Sequence, residues 1–493
     1  MGEDIAGTAY TREQRQRYRE KVRLNLDTFE QMLTQSNFDG DRLLTGLEIE
    51  LNLVDGDYQP SMNNAEVLKR IADPAFQTEL GQYTIELNVN PRPMPGDAAL
   101  QLEDDLRKSL NRAESLAGET GAHIVMIGIL PTIMAEHLNH DWMSANARYS
   151  ALNKAVIDAR GEDIPIDIEG GSGERLAMFT DSIGPESACT SVQLHLQVTP
   201  QEFAAHWNAA QAVSALQVAL GANSPYFFGK QLWHETRIEL FSQVIDTRPD
   251  ELKNQGVRPR VFFGDNWITS IFDLFEENGR YFPPLLPEIG DEDPAEILNA
   301  GQAPSLFELR IHNGTVYRWN RPVYDVANGT PHLRIENRVL PAGPTIIDTL
   351  ANSAFYYGLL RMLAQDDRPI WTKMSFAAAE HNFRGCARRG LESTVYWPGF
   401  GEVPADELVL RHLLPLAHEG LDQWGVSPAV RNRYLGVIEG RCLSGINGAL
   451  WQIATVDRLE ARGADRATAL KGMLERYVAA MHSNEPVHLW PLT

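Results

Sequence analysis

This chain of 493 residues is poor in several things, and each shortage excludes a class of function. It has 3 cysteines, Cys189, Cys386 and Cys442, far apart and with no CxxC spacing. That excludes a disulfide framework or a zinc knuckle and fits a reduced cytoplasm, with the three thiols expected as small buried hydrophobes. Basic residues are outnumbered, 44 against 66 acidic ones, for a formal charge of −22. A protein that holds nucleic acid by neutralising phosphates carries the opposite excess, so no nucleic-acid partner is expected. The longest apolar run, His123 to Leu130, is far short of the roughly 20 residues that cross a bilayer, so no membrane association is expected. Met1 to Tyr10 is acidic and Thr11 to Arg23 is charged, with no apolar core for a secretion signal. There is no GxxxxGK[ST] phosphate loop, no HExxH and no GxSxG elbow. Gly170-Gly171-Ser172-Gly173 has no following Lys-Ser/Thr and reads as a mobile loop or lid. A cytoplasmic enzyme acting on small molecules is the expectation left standing.

What is present is enough apolar sequence, 43%, against 22% charged, to bury a sizeable core. Tyr18, Val22, Leu26, Phe29 and Leu33 recur at helical spacing, which predicts a helix over about Thr11 to Leu33 and an N-terminal unit of residues 1–40. From Asp41 to about residue 345 short alternating segments dominate, interrupted by helices over Asp97 to Leu116 and Pro200 to Leu220. Beyond that, Thr345 to Ala364, Asp406 to Gly420, Ser427 to Glu439 and Asp465 to His482 read as helices. Residues 346–493 are thus expected as a helical region packed on the same domain.

The alternating segments carry the chemistry. Written as a strand, Gly46 to Leu53 places Leu47, Ile49, Leu51 and Leu53 on one face and Glu48 and Glu50 on the other. Ile85 to Asn90 opposes Glu86, Asn88 and Asn90 to an apolar face, and Ser191 to Val198 opposes Gln193, His195 and Gln197. Phe307 to His312 reads as a fourth strand showing Glu308, Arg310 and His312. His332 to Val339 reads as a fifth showing Arg334, Glu336 and Arg338, with Asn337 the polar intruder on its apolar side. Arg237 to Leu240 adds Arg237 and Glu239 in the same sense. A merely wetted face carries Lys, Thr, Ser and Gln; these faces carry Glu, Arg, His and Asn and no lysine. Carboxylates facing one another across strands repel unless something positive lies between them. Glu48, Glu50, Glu86, Glu308 and Glu336 form a pool of hard oxygen ligands suited to Mg²⁺ or Mn²⁺. Arg237, Arg310, Arg334 and Arg338 suit a bidentate grip on phosphate or carboxylate. Together these are the parts of a phosphoryl-transfer site. A glycosidase would need only a carboxylate pair and no bank of arginines. Asn328-Gly329 is a tight-turn dipeptide, so Val316 to Val326 and His332 to Leu340 are expected as a hairpin. That would bring Arg318 and Arg321 towards the Glu336 strand, either to shape a substrate pocket or as surface arginines.

In order along the chain, Gly46-Leu47-Glu48-Ile49-Glu50, Glu79 with Ile85-Glu86-Leu87-Asn88 to Pro91, the His195 strand, and Ala222-Asn223-Ser224-Pro225-Tyr226 come first. Arg237, Arg334-Ile335-Glu336-Asn337-Arg338-Val339-Leu340 and Gly448-Ala449-Leu450-Trp451-Gln452 come after them. This set, spanning about Leu44 to Gln452, resembles the glutamate-cysteine ligase type 2, or carboxylate-amine ligase, family, whose catalytic sheet is related to that of glutamine synthetase. The resemblance implies an α+β fold round an antiparallel sheet with a polar catalytic face. It implies ATP with two or three Mg²⁺ ions, Mn²⁺ being an alternative, phosphorylation of a carboxylate such as the γ-carboxylate of glutamate, and attack by an amine such as cysteine. Carried over by motif, Glu48, Glu50, Glu86 and Glu336, with Glu79 and His195, would be metal ligands. Arg338 and Arg237 would meet the transferring phosphoryl group or the substrate carboxylate, and Asn88 falls within the matched motif beside Glu86. One departure stands out: family members commonly carry an acid three residues after the arginine of the Glu-x-Arg strand, where this chain has Pro341. The alternatives to a ligase are a guanidino-type kinase and a nucleotide or metabolite sensor on the same scaffold. Small-molecule acids and amines are the expected partners, and the sequence is compatible with a homo-oligomer.

Overall fold

In the computed structural model, which describes residues 10–40, 43–139 and 141–492, four of the alternating segments, those at Gly46, Ile85, Ser191 and His332, belong to one seven-stranded antiparallel sheet. The acidic start, residues 1–9, and the boundary expected at residue 41 lie outside the described residues. Strands β1 (Leu44–Val54), β2 (Phe76–Thr78), β3 (Thr84–Pro93) and β4 (His123–Val125) come first. Strands β5 (Ile164–Glu169) and β6 (Arg175–Thr180) form a separate hairpin. Then β7 (Ser191–Val198), β8 (Asn320–Ala327) and β9 (Thr330–Pro341) complete the sheet in the order β8-β9-β7-β1-β3-β2, with β4 added to β1. The turn between β8 and β9 is the expected one: Asn328 and Gly329 take positive φ, 51° and 77°, which suits a tight hairpin turn between right-twisting strands. Gly170 to Gly173 is no lid but the turn of the β5–β6 hairpin, Gly173 N–H donating to Gly170 O at 3.3 Å.

Among the helices of the described residues are α1 (Arg12–Gln35), α2 (Ala147–Arg160), α3 (Pro200–Gly221), α4 (Thr236–Val244), α5 (Phe307–Asn313), α6 (Ile346–Ala364), α7 (Leu414–Gln423) and α8 (Pro428–Ser444). Helix α3 begins at a Thr199 cap with Pro200 in its first turn, and nearly every residue from Phe203 to Gly221 is buried. Such all-round burial identifies a central helix rather than a surface one. It lies on the apolar face of the sheet and supplies the partners for Asn337: Gln217 and Asn337 exchange hydrogen bonds of 3.0 and 3.1 Å, and Asn337 also donates to Asn320 at 2.8 Å. The polar intruder is therefore fully paired.

Two expected strands are helices. Phe307 to His312 forms α5, and Arg237 to Leu240 lies in α4. On six residues a period of 2 and a period of 3.6 are hard to separate, and α5 buries Glu308, Leu309, Ile311, His312 and Asn313 on several sides at once. Its burial is against α1, where Tyr18 donates to Glu308 O at 2.9 Å. The helix expected over Asp406 to Gly420 is broken as well: a π turn, Val409–Leu413, precedes α7, whose first turn holds Pro415. Proline has no N–H to continue the α pattern, and the wider turn absorbs the fault.

The helical layer is fastened to the sheet by close approach and by one buried charge pair. Gly358 of α6 and Gly420 of α7 sit backbone against backbone, so a Cβ on Gly420 would fall on Gly358 O. Next to this crossing, Tyr357 donates its hydroxyl to His195 O on β7 at 3.1 Å, and Trp424 donates to Tyr357 O at 3.1 Å. Arg441 of α8, 1% exposed, binds Asp348 at 2.7 Å and Asn352 at 2.6 Å on α6, and Leu220 O at 3.2 Å on α3. Gly420→Ala is expected to lower stability by about 2 kcal/mol even though alanine is the better helix former by about 1 kcal/mol. Gly436→Ala on α8, where a Cβ meets nothing within 4 Å, is expected to raise it by up to about 1 kcal/mol. Urea unfolding of the two variants reads both signs.

Candidate active site

The sheet register decides which polar side chains meet. Glu50 stands opposite Glu86, and Glu48 lies between Asn88 on β3 and Gln193 on β7. Glu336 on β9 lies between His195 and Arg321. Above this face lies a cleft of about 1160 Å³ whose lining includes Glu48, Glu50, Glu79, Glu86, Gln193, Arg237, Arg321 and Arg338. Phe241, Tyr317 and Trp319 form an aromatic wall on one side of it.

Three carboxylates converge at one end. Glu50, Glu79 and Glu86 each place an oxygen within 4.8 Å of the others. Backbone and amide donors hold them there: Ser191 N–H and Gln193 donate to Glu50 at 2.6 and 3.0 Å, Leu80 N–H to Glu79 at 2.8 Å, and Asn88 to Glu86 at 2.7 Å. Burial, and then the Glu48 charge, push Glu86 up to about 7. Burial, then Glu86 and Glu50, push Glu79 well above the usual carboxylate range. Burial raises Glu50 against the opposing pull of Arg338 and Arg237. Ionised together, these groups need a positive charge among them. Their donor set, acceptor-only oxygens with nitrogen and sulfur absent, fits a hard divalent cation.

A second row holds Glu48, His195 and Glu336. His195 Nε2 lies 3.0 Å from Glu48 Oε1, outside hydrogen-bond geometry, while Nδ1 accepts from Arg334 Nε at 3.3 Å. That contact assigns the ring proton to Nε2, so ligation of a cation there requires Arg334 to release Nδ1. Burial raises Glu48, but the His195 contact outweighs it and leaves the carboxyl at about 2. Glu336 is buried yet held well below the usual range by Arg321, which grips it at 2.9 and 2.8 Å, and by Arg338. Arg338 also donates to Gln193 at 2.5 Å, tying β9 to β7 across the floor.

Arg237 reaches the cleft from α4, and its support runs deep into the fold. Its Nη1 donates to Glu235 at 2.9 Å, and Glu235 accepts from Asn223 N–H at 2.9 Å and from Ser224 Oγ at 2.8 Å. Asn223 in turn accepts from Gln452 at 2.8 Å and donates to Ala342 O and Tyr477, both at 2.8 Å. Gly448 allows this because any Cβ there would fall on Asn223 Oδ1. The segments Ala222 to Tyr226 and Gly448 to Gln452 thus meet in space, and together they brace one arginine.

Four candidates lie elsewhere. Glu308 accepts from Asn25 at 3.0 Å and from Gly290 N–H at 3.0 Å under α1, and Arg310 faces Asp325 at 3.4 Å; both left the sheet when their segment became helix α5. Arg318 is buried against Glu277 at 2.5 Å and Asn278, neither a cleft nor a surface arginine. Arg334 sits at the rim with His195, His332 and Asp325. Pro341 is buried at the end of β9 opposite Ser191. Arg148 and Tyr149 on α2, Glu186 in the turn Gly184–Ala188, and Cys189 line the cleft without having been picked out by sequence pattern. None sits in an alternating strand, and the Asn146 cap of α2 marks a helix start but not its contact with the cleft.

Residues 44–455 match the model of glutamate-cysteine ligase family 2 (GCS2). No curated protein matches the chain in sequence. Among solved structures, the fold is similar to that of the glutamate–cysteine ligase of Francisella tularensis in complex with AMP, with a TM-score of 0.54 at 12% identity over 91% of this chain and 90% of that one. It is also similar to a bifunctional glutathione synthetase from Pasteurella multocida, with a TM-score of 0.50 at 13% identity over 94% of this chain and 55% of that one. At these identities the likeness is one of fold.

The carboxylate cluster generates a prediction that needs no substrate. Mg²⁺ or Mn²⁺ at about 100 times its dissociation constant is expected to stabilise the wild type by about 2.7 kcal/mol, read as a rise in melting temperature. Glu79→Gln should melt higher than the wild type in chelator at neutral pH, because the buried carboxyl must take up a proton on folding and the amide need not, and should lose most of the metal-induced rise.

Proposed function

We propose, from the premise that the chain belongs to glutamate-cysteine ligase family 2 and is an ATP-dependent ligase forming C–N bonds, that it activates the γ-carboxylate of glutamate, or of a related acid, as an acyl phosphate. An amine such as cysteine then takes the acyl group. The observation that carries this reading is the convergence of Glu50, Glu79 and Glu86 beside Arg237, Arg321 and Arg338 in one cleft.

Glu50, Glu79 and Glu86 would hold one divalent ion, and Glu48, Glu336 and His195 would hold any further one once Arg334 releases His195. Such ions supply charge neutralisation and in-line orientation of the phosphoryl oxygens. Arg338 and Arg321 stand on the floor with part of their donor capacity turned to Glu336, which fixes both guanidinium planes before substrate arrives. Arg237, locked by Glu235, presents its remaining donors to the cleft for phosphate or carboxylate. A loose phosphoryl transition state needs positioning and positive charge rather than a protein nucleophile, and no nucleophile is asked of this chain. Gln193, bonded to both Glu50 and Arg338, couples the carboxylate end of the cleft to its arginine end.

Release of ADP and phosphate should require an acid and an amine together. Phosphorylated product without ligation would instead indicate a kinase, and ATP binding without turnover a sensor. Glu48→Gln and Glu336→Gln should each cut turnover at least ~100-fold in a coupled ADP assay, and near-normal rates in both would remove the site assignment.

A further inference from the structure

One cleft carboxylate has no part in the proposed metal and phosphoryl chemistry. Glu186, in the turn Gly184–Ala188, lines the cleft beside Ser187, Cys189 and Tyr149. Among the described residues its carboxylate makes no hydrogen bond and no ion pair. The charges that act on it are Glu50, which opposes its ionisation, and Arg338, which favours it. Arg338 is already committed to Glu336 and Gln193. Arg321 is committed to Glu336 and Arg237 to Glu235, so the floor arginines have carboxylate partners of their own. Glu186 is also outside the group whose oxygens converge for a cation. Its neighbours are aromatic: burial first and the Glu186 charge next push the Tyr317 phenol up to about 12, and the same charge reaches Tyr149. Burial, and then Glu50, raise Glu186 itself to about 8, so at neutral pH the group ionises when a cation arrives to pair with it.

A carboxylate without a protein partner, lining the same cleft as Tyr149 and Tyr317, has the makings of a receptor for an organic cation. The carboxylate supplies the charge, and ring faces attract ammonium groups at about 0.5–2 kcal/mol each. Metals and arginines serve the anionic half of the reaction, ATP and the acid. The acceptor is the substrate that arrives as a cation, since amines are ammonium ions at neutral pH. We infer that Glu186, with Tyr149 and Tyr317, forms the subsite that binds the acceptor amine as its ammonium ion and thereby determines acceptor specificity. This rests on the ligase reading and names the substrate whose recognition that reading leaves open.

The test separates the two. Hydroxylamine is neutral at neutral pH and traps acyl phosphates as hydroxamates, so it reports the first half of the reaction without needing an ammonium site. Wild type and Glu186→Gln are compared with ATP, Mg²⁺ and glutamate, first with hydroxylamine, then with methylamine, ethanolamine, glycine and cysteine as acceptors. Equal hydroxamate formation, an amine KM raised by about 30-fold or more, unchanged KM for ATP and glutamate, and partial recovery in Glu186→Asp are the results expected. An amine KM unchanged in Glu186→Gln would overturn the inference. So would loss of hydroxamate formation in the variant, which would place Glu186 in the acid or ATP half. A wild type that forms no hydroxamate from glutamate or any related acid would overturn the ligase reading itself, and this inference with it.

Discussion

Carboxylates brought within a few ångströms of one another in a buried cleft repel, and the rest of this structure is organised round that fact. Glu50, Glu79 and Glu86 are forced together by strand register and held by Ser191, Gln193, Leu80 and Asn88. Without a cation their neighbourhood drives them towards protonation; with one, the same geometry becomes a preformed set of ligands. The arginines across the floor are arranged in answer. Arg321 and Arg338 cancel Glu336 and leave its carboxyl ionised, so the two ends of the cleft differ in sign of demand: one lacks positive charge, the other is already balanced.

The parts that line the cleft depend on parts that do not. Arg237 is aimed by Glu235, which is held by Asn223 and Ser224, and Asn223 is held by Gln452 from a helix more than two hundred positions along the chain. A buried network of this kind is worth having only when complete, since one missing partner leaves a polar group stranded. This accounts for the close packing of Gly448 on Asn223: the glycine is the space the asparagine needs.

Much of this was legible in the residues. The alternation of Glu48 and Glu50 with Leu47, Ile49 and Leu51 gave the strand and its two faces, and Asn328-Gly329 gave the hairpin that sets Arg321 against Glu336. Family resemblance over the ordered motifs agreed with the matched residues 44–455. What was not legible has a physical cause in each case. Six residues of alternating character, Phe307 to His312, satisfy a strand and a short buried helix equally well, so Glu308 and Arg310 were misplaced together. Arg318 sits two positions past Val316 in an expected strand, but it turns into the body of the protein to meet Glu277. Glu186 sits in a single 3₁₀ turn with no periodicity, and its place in the cleft is set by tertiary packing alone.

The glycine crossing between α6 and α7 bears on how such a cleft can diversify. Because Tyr357 beside that crossing holds the backbone of β7 at His195, the floor of the cleft is tied to the helical layer behind it and cannot shift without breaking that layer. The opposite wall, Arg148 and Tyr149 on α2, Glu186 in its turn and Tyr317, comes from short elements outside the large sheet. Substitutions there alter what the cleft admits while the floor's geometry stays as it is. The floor is thus constrained by the architecture behind it, while the wall is left open to variation.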